Sequence, residues 1–209
     1  MKRSMYILMS LAAILTLDAR ASVGAQGKTG SGTWGFVNAR YDTRSSASIY
    51  TGYGWRGAFA MGGVLNTRSG QAEVLGGVGV VVRTGPNANH WLAIAKGQTG
   101  PVSTAQVYWL PTLRTGALTT RATVKWSVPY KGSTVRKLSV SPLSLLLPAT
   151  PRLTAGIAVD MAAADRSSTS FAAGPELRVR LPHAVLVADA LRDVSGQGSR
   201  LRLFFASMF

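Results

Sequence analysis

The sequence predicts an all-β chain: a closed antiparallel transmembrane β-barrel, most simply of twelve strands, or of ten or eight if long hairpins have been divided. Three observations carry this. Apolar residues recur at every second position in segment after segment, the period of a strand with one greasy face. Short clusters of Gly, Pro, Asn and Ser punctuate those segments at regular intervals. No stretch reaches the eighteen consecutive apolar residues of a membrane helix. Composition agrees. Charged residues make up 15% of the chain and Gly occurs 23 times, whereas a soluble domain has about 25% charged residues.

The N-terminus reads as a cleaved leader. Met1-Lys2-Arg3 is basic, Tyr6 to Leu17 is uncharged and mostly apolar, and Ala19-x-Ala21 and Val23-x-Ala25 supply small-residue cleavage sites. The apolar stretch is too short to span a bilayer as a mature helix. Residues 1–25 are therefore expected to be a secretory leader of the Sec type, and residues 26–209 the barrel domain. The chain has no Cys, which excludes a lipidated cysteine anchor, a disulfide and a Cys metal site. It carries 23 Lys and Arg against 8 Asp and Glu, a formal net charge of +15. Loss of the leader removes Lys2, Arg3, Arg20 and Asp18 and leaves about +13. That balance points to anionic partners. Export makes nucleic acid the weakest candidate and none is expected.

The strands follow in order. Thr33–Asp42 and Ala47–Trp55 form a hairpin across 43–46; Ile49, Thr51, Tyr53 and Trp55 share a face, and Gly52 and Gly54 oppose them. Arg56-Gly57 turns into Ala58–Thr67, which meets Ala72–Arg83 across 68–71. Gly85-Pro86-Asn87-Ala88-Asn89 is a dense turn signal. His90–Gln98 and Ser103–Leu113 follow, divided by Gly100-Pro101. Ala117–Val128 leads through Tyr130-Lys131-Gly132-Ser133 to Thr134–Leu145. Arg152–Met161 is the next strand; Ala155 to Ala164 could be helical by composition, but Gly156, Ile157, Val159 and the absence of caps favour a strand. Thr169–Leu181, Ala184–Arg192 and Ser199–Phe209 complete the set. Twelve strands share the mature chain at about 15 residues each, which covers the 9–11 residues of a spanning strand and a short connection.

The faces of these strands separate by chemistry. In Ala117–Val128, Leu118, Thr120, Ala122, Val124, Trp126 and Val128 alternate with Thr119, Arg121, Thr123, Lys125 and Ser127. Leu177, Val179 and Leu181 alternate in the same way with Arg178 and Arg180. A charge on the lipid face costs about 2–4 kcal/mol at mid-membrane, so these basic residues are expected to face inward or to lie at the rim. The last strand repeats the pattern: Leu201, Leu203, Phe205 and Phe209 share one face, with Ser207 among them, and Arg200 and Arg202 share the other.

This tail resembles the C-terminal signal strand of bacterial outer-membrane β-barrels, which ends in Phe after alternating apolar residues. Ser207 stands where that signal usually has a second aromatic. An edge strand of a secreted β-sandwich is the alternative. The resemblance implies location in the outer membrane, contact with its lipid and lipopolysaccharide, and recognition by the barrel-assembly machinery through Leu201, Leu203, Phe205 and Phe209.

Arg121, Lys125, Arg178, Arg180, Arg200 and Arg202 form the candidate ligand-binding set, a basic lumen that passes or binds anionic solutes. In outline this resembles small anion- or oligosaccharide-conducting porins. The same charges equally suit a solvated rim that binds lipopolysaccharide phosphates. A non-conducting structural barrel in envelope assembly or polysaccharide export is the second reading, and a lipid A-modifying enzyme the third. The enzyme needs a nucleophile and a base, yet His90 follows the Asn-rich turn, His183 sits in the Pro182 turn, and neither has a Ser two places away on its strand face. No catalytic residue, cofactor or metal is expected. Asp42, Asp160 and Asp165 lack metal-ligand spacing, and Gly62-Gly63, Gly76-Gly77 and Gly79 lack the Lys-Ser/Thr of a phosphate loop. Trp34, Trp55, Trp91, Trp109 and Trp126 include candidates for interfacial girdles.

Overall fold

A computed structural model describes residues 32–43, 46–66, 71–165, 169–194 and 198–209. The expected leader, residues 1–25, lies outside them. Among the described residues there are twelve strands and no helix. They are β1 (Thr33–Asp42), β2 (Ser46–Trp55), β3 (Ala58–Asn66), β4 (Ala72–Arg83), β5 (Ala88–Thr99) and β6 (Val102–Thr115). The second half comprises β7 (Leu118–Lys131), β8 (Lys137–Pro148), β9 (Leu153–Ala164), β10 (Ser170–Arg180), β11 (Ala184–Asp193) and β12 (Ser199–Met208). Each pairs antiparallel with its sequence neighbours, and β1 with β12, so the sheet closes and leaves no free edge.

The seam is tied at the last residue. Phe209 N–H donates to the Gly35 carbonyl at 3.0 Å, and Gly35 N–H donates to the Phe209 carbonyl at 2.6 Å. Above it Phe205 faces Ala39 and Leu203 faces Tyr41 across the ladder. With every strand paired on both sides, the backbone can enter hydrocarbon without orphaned polar groups.

Side chains sort as their alternation requires. Val74, Val78, Val80 and Val82 on β4, Leu92 and Ile94 on β5, and Leu201 and Leu203 on β12 are all exposed on the outer face. A continuous apolar exterior of this kind is what a lipid-facing barrel presents. Lys96 and Arg192 share the outward parity but sit near the strand ends at Thr99 and Asp193. A charge near the interface costs only about 0–1 kcal/mol.

Several boundaries differ from the sequence reading for local reasons. β5 begins at Ala88, inside the expected turn 85–89, because Asn89 pairs with Arg83 and Thr112 on either side. β7 runs on through Tyr130 and Lys131, while β8 starts only at Lys137. Pro142 lies within β8 where the register with β7 and β9 shifts, as expected for a residue that cannot donate to a ladder. Trp55, Trp109 and Trp126 face outward and are exposed, but Trp34 and Trp91 pack inside against the aromatic core.

Glycine sets how closely strands and rings approach. A Cβ on Gly174 would lie 1.9 Å from the Ala190 carbonyl oxygen, whereas one on Gly76 would meet nothing within 4 Å. Gly174→Ala should therefore destabilise the barrel by about 1–3 kcal/mol, and Gly76→Ala should leave it within about 0.5 kcal/mol of the parent. Urea unfolding in lipid vesicles compares the two.

Candidate functional site

The lumen is crossed by two sets of side chains. The first is aromatic and belongs to β1, β3 and β5. The Trp34 and Trp91 ring centroids are 5.2 Å apart at 77°, and Phe36 and Phe59 are 6.0 Å apart at 78°. Edge-to-face contacts of this kind add about 0.5–1.5 kcal/mol each beyond burial. The rings lie over the small residues of β2 and β4. A Cβ on Gly52 would come within 2.3 Å of Phe36 Cε1, and one on Gly54 within 2.3 Å of Trp34 Cε2. This is why β2 turns Gly52 and Gly54 inward beneath the rings, while its outward face is Ile49, Thr51, Tyr53 and Trp55. Leu75, Ala93, Ala95 and Tyr108 complete the cluster.

The second set is ionic and crosses from β12 to β8. Arg202 is fully buried and reaches over β10 and β11. Its Nη2 lies 2.6 Å from Asp189 Oδ2, and its Nη1 lies 2.5 Å from Asp160 Oδ2 and 2.9 Å from Ser141 Oγ. The Phe204 ring lies 5.5 Å from its guanidinium carbon and 5.2 Å from that of Arg40. Arg200 also pairs with Asp160 and lies 3.8 Å from Asp42. Below them, Glu176 takes an ion pair from Arg178 and accepts from Ser144 Oγ at 2.5 Å. Arg178 Nη2 donates to the same Ser144 oxygen at 3.3 Å.

All six candidate residues carry the inward parity. Arg121 faces Ser144 and Thr112, Lys125 faces Tyr108 and Ser139, and Arg178 faces Thr154 and Val187. Arg180 faces Val185, Arg200 faces Leu191, and Arg202 faces Asp189 and Asp42. They do not form one uniformly basic surface. Asp42, Glu73, Asp160, Glu176, Asp189 and Asp193 share the inner face, so Arg178, Arg200 and Arg202 are each paired. Lys125 Nζ lies 4.0 Å from Glu73, which also accepts from Gln106. The sequence shows each acid alone; only the strand register brings Asp160 and Asp189 to one arginine.

Arg121 and Arg180 differ from the rest. Among the described residues neither has a carboxylate within ion-pair distance. The cations acting on Arg121 are Arg178, Arg114 and Arg180, and the acid acting on it is Glu176. Its Nε is buried without a hydrogen-bond partner. These arginines lie on β6, β7 and β10 toward the end of the barrel that holds the chain termini. Arg114 lies one residue beyond the expected strand Ser103–Leu113, within β6; its inward parity follows from pairing with Thr119.

The remaining candidates lie apart. His90 faces outward, 3.0 Å from Thr84 Oγ1, and accepts from Trp109 Nε1 at 3.4 Å. His183 sits in the turn 181–183, where its carbonyl accepts from Ser207 Oγ at 2.8 Å. Asp165 Oδ2 accepts from the Arg136 amide at 3.2 Å. Gly62, Gly63, Gly76, Gly77 and Gly79 are all strand residues.

No family model and no curated protein sequence matches the chain. Solved structures do match. A KdgM porin superposes with a TM-score of 0.58 at 9% identity over 83% of this chain and 99% of that one. The KdgM porin in complex with disordered oligogalacturonate gives a TM-score of 0.59 at 9% identity over the same shares. The NanC porin gives 0.52 at 10% identity over 83% and 98%. The translocator domain of the autotransporter NalP from Neisseria meningitidis gives 0.52 at 9% identity over 97% and 96%. The chain therefore has the fold of the bacterial outer-membrane β-barrel porins.

Proposed function

We propose that this protein is a small porin-like channel of the outer membrane whose interior takes anionic solutes. The observation that carries the reading is Arg121, whose buried Nε has no hydrogen-bond partner and which, like Arg180, has no carboxylate within ion-pair distance among the described residues, with Arg114, Arg178 and Arg180 as the cations acting on it. Basic tracks of this kind favour the binding and passage of anions. The KdgM porin solved with oligogalacturonate supports an acidic solute. Lys125 supplies a further cation, while Arg200 and Arg202 act mainly as struts.

The reading places the chain termini on the periplasmic side. Connections at that end span 56–57, 84–87, 116–117, 149–152 and 181–183, none longer than four residues, and those at the other end span 43–45, 67–71, 100–101, 132–136, 165–169 and 194–198, four of them of five residues. Short periplasmic turns and longer outer loops are the usual arrangement. We read residues 1–25 as the leader removed on Sec export. The Leu201, Leu203, Phe205 and Phe209 face is read as the surface offered to the assembly machinery. The barrel itself is read as non-enzymatic.

Planar-bilayer recording tests the channel. The purified barrel should show single-channel steps and an anion-selective reversal potential under a KCl gradient. Arg121→Gln with Arg180→Gln should move that potential toward zero, since two uncompensated charges are lost. Cation selectivity in the parent would refute the role of the arginines. The two crossing sets favour the second reading, a sealed structural barrel, and an absence of steps would establish it.

A further inference from the structure

At the end away from the termini, the inner wall between β7 and β10 is recessed. The recess holds about 260 Å³. It exists because β9 places only the methyl groups of Ala162 and Ala164 on its floor. Two successive register rows line it. One runs Lys125, Ser139, Ala162, Ser170; the next runs Ser127, Lys137, Ala164. The rows are two residues apart along each strand, about 6.8 Å. Cations here are lysines and their polar neighbours are hydroxyls, unlike the Arg–carboxylate pattern elsewhere in the lumen.

The charges facing the recess are few. Lys125 lies 5.5 Å from the Tyr108 ring centroid and 4.0 Å from Glu73, and Lys137 and Arg40 are the other cations acting on it. Among the described residues Lys137 has no carboxylate within ion-pair distance.

We propose that this recess binds the phosphate group of a small hydroxylated phosphomonoester, of which a sugar phosphate is the simplest form. A phosphomonoester carries about −1.5 to −2 charge at pH 7 and three strong acceptor oxygens. Two ammoniums and three serine hydroxyls match that charge and that demand for donors. A carboxylate would neutralise only one ammonium. Apart from Glu73 beside Lys125, the ion-paired carboxylates of this lumen are met by arginine, whose planar fork fits them, whereas lysine serves phosphate as a point charge. Lys125, Ser139 and Ala162 carry the inward parity, so lipopolysaccharide phosphates in the outer leaflet lie across the wall from them. The site rests on the channel reading for access alone; its chemistry is independent of conduction.

Isothermal titration of the full barrel, folded in micelles free of lipopolysaccharide, tests this with glucose 6-phosphate, glucuronate and glucose as probes. Glucose 6-phosphate should bind at one saturable site, glucuronate at least about tenfold more weakly, and glucose not measurably. Lys137→Gln should weaken binding by about tenfold, and Ser139→Ala should weaken it less. Lys96→Gln, which removes a lysine from the outer face, should change nothing. No binding, equal binding of glucuronate, an equal loss in Lys96→Gln, or displacement by added lipopolysaccharide would each overturn the site. Conductance of the same preparations is read separately. Intact binding without conductance would sink the channel and leave the recess standing.

Discussion

Arg202→Met should cost the barrel about 3–5 kcal/mol of stability, the usual result of removing one member of a buried ion network. The methionine fills much of the same volume, so the loss is electrostatic. Asp189, 0% exposed, would lose its cation, and Asp160, 5% exposed, would keep only Arg200. Restoring neutrality should restore the fold: Arg202→Met combined with Asp160→Asn and Asp189→Asn should recover most of the loss, because a buried network can often be replaced by uncharged groups of similar volume. Arg200 would then lose its Asp160 partner and keep Asp42. Urea unfolding of refolded barrels in vesicles measures all three forms. A single variant as stable as the parent, or a triple variant no better than the single, would show that the crossing is not held by charge.

Conductance should respond most to the aromatic crossing. Trp34→Ala with Trp91→Ala removes both members of the edge-to-face pair that spans β1 to β5. The glycines beneath Phe36 and Trp34 offer no side chain to fill the space. Water should enter, and single-channel conductance should rise roughly twofold or more, as the constriction that limits the pore is widened. Trp91→Leu is the milder form if the double variant does not fold. Conductance unchanged in both would place the limiting constriction elsewhere, at the arginines or the mouth.

Much of this fold was legible in the sequence because a barrel wall depends on local alternation. Val124 and Trp126 against Arg121 and Lys125, or Leu203 and Phe205 against Arg200 and Arg202, declare their faces within a few residues. Phe209 at the end of that alternation was enough to suggest closure, and it bonds to Gly35 as closure requires. The contents of the lumen were not legible in the same way. Contacts there join residues far apart in the chain, such as Arg202 with Asp160 and Lys125 with Glu73. Those pairings depend on the stagger of each strand against the next, which alternation does not encode. The tryptophans show the same limit. Trp34 and Trp55 end adjacent strands, yet one turns inward over Gly54 and the other outward. Ser141, Ser144 and Arg114 carried no signal of their own; their roles come from what the register places beside them.

Which side chains face the lumen and which face lipid is directly measurable, because the chain has no native cysteine. Single cysteines at Thr123, Val124, Lys125, Ile157 and Leu203 can be labelled in folded barrels in vesicles, with a charged water-soluble maleimide and with a lipid-soluble one. Positions 123 and 125 should react with the charged reagent, while positions 124, 157 and 203 should react only with the lipid-soluble one. Reaction of 124, 157 and 203 with the charged maleimide, or protection of all three from both reagents as in a packed soluble core, would contradict this placement of the faces.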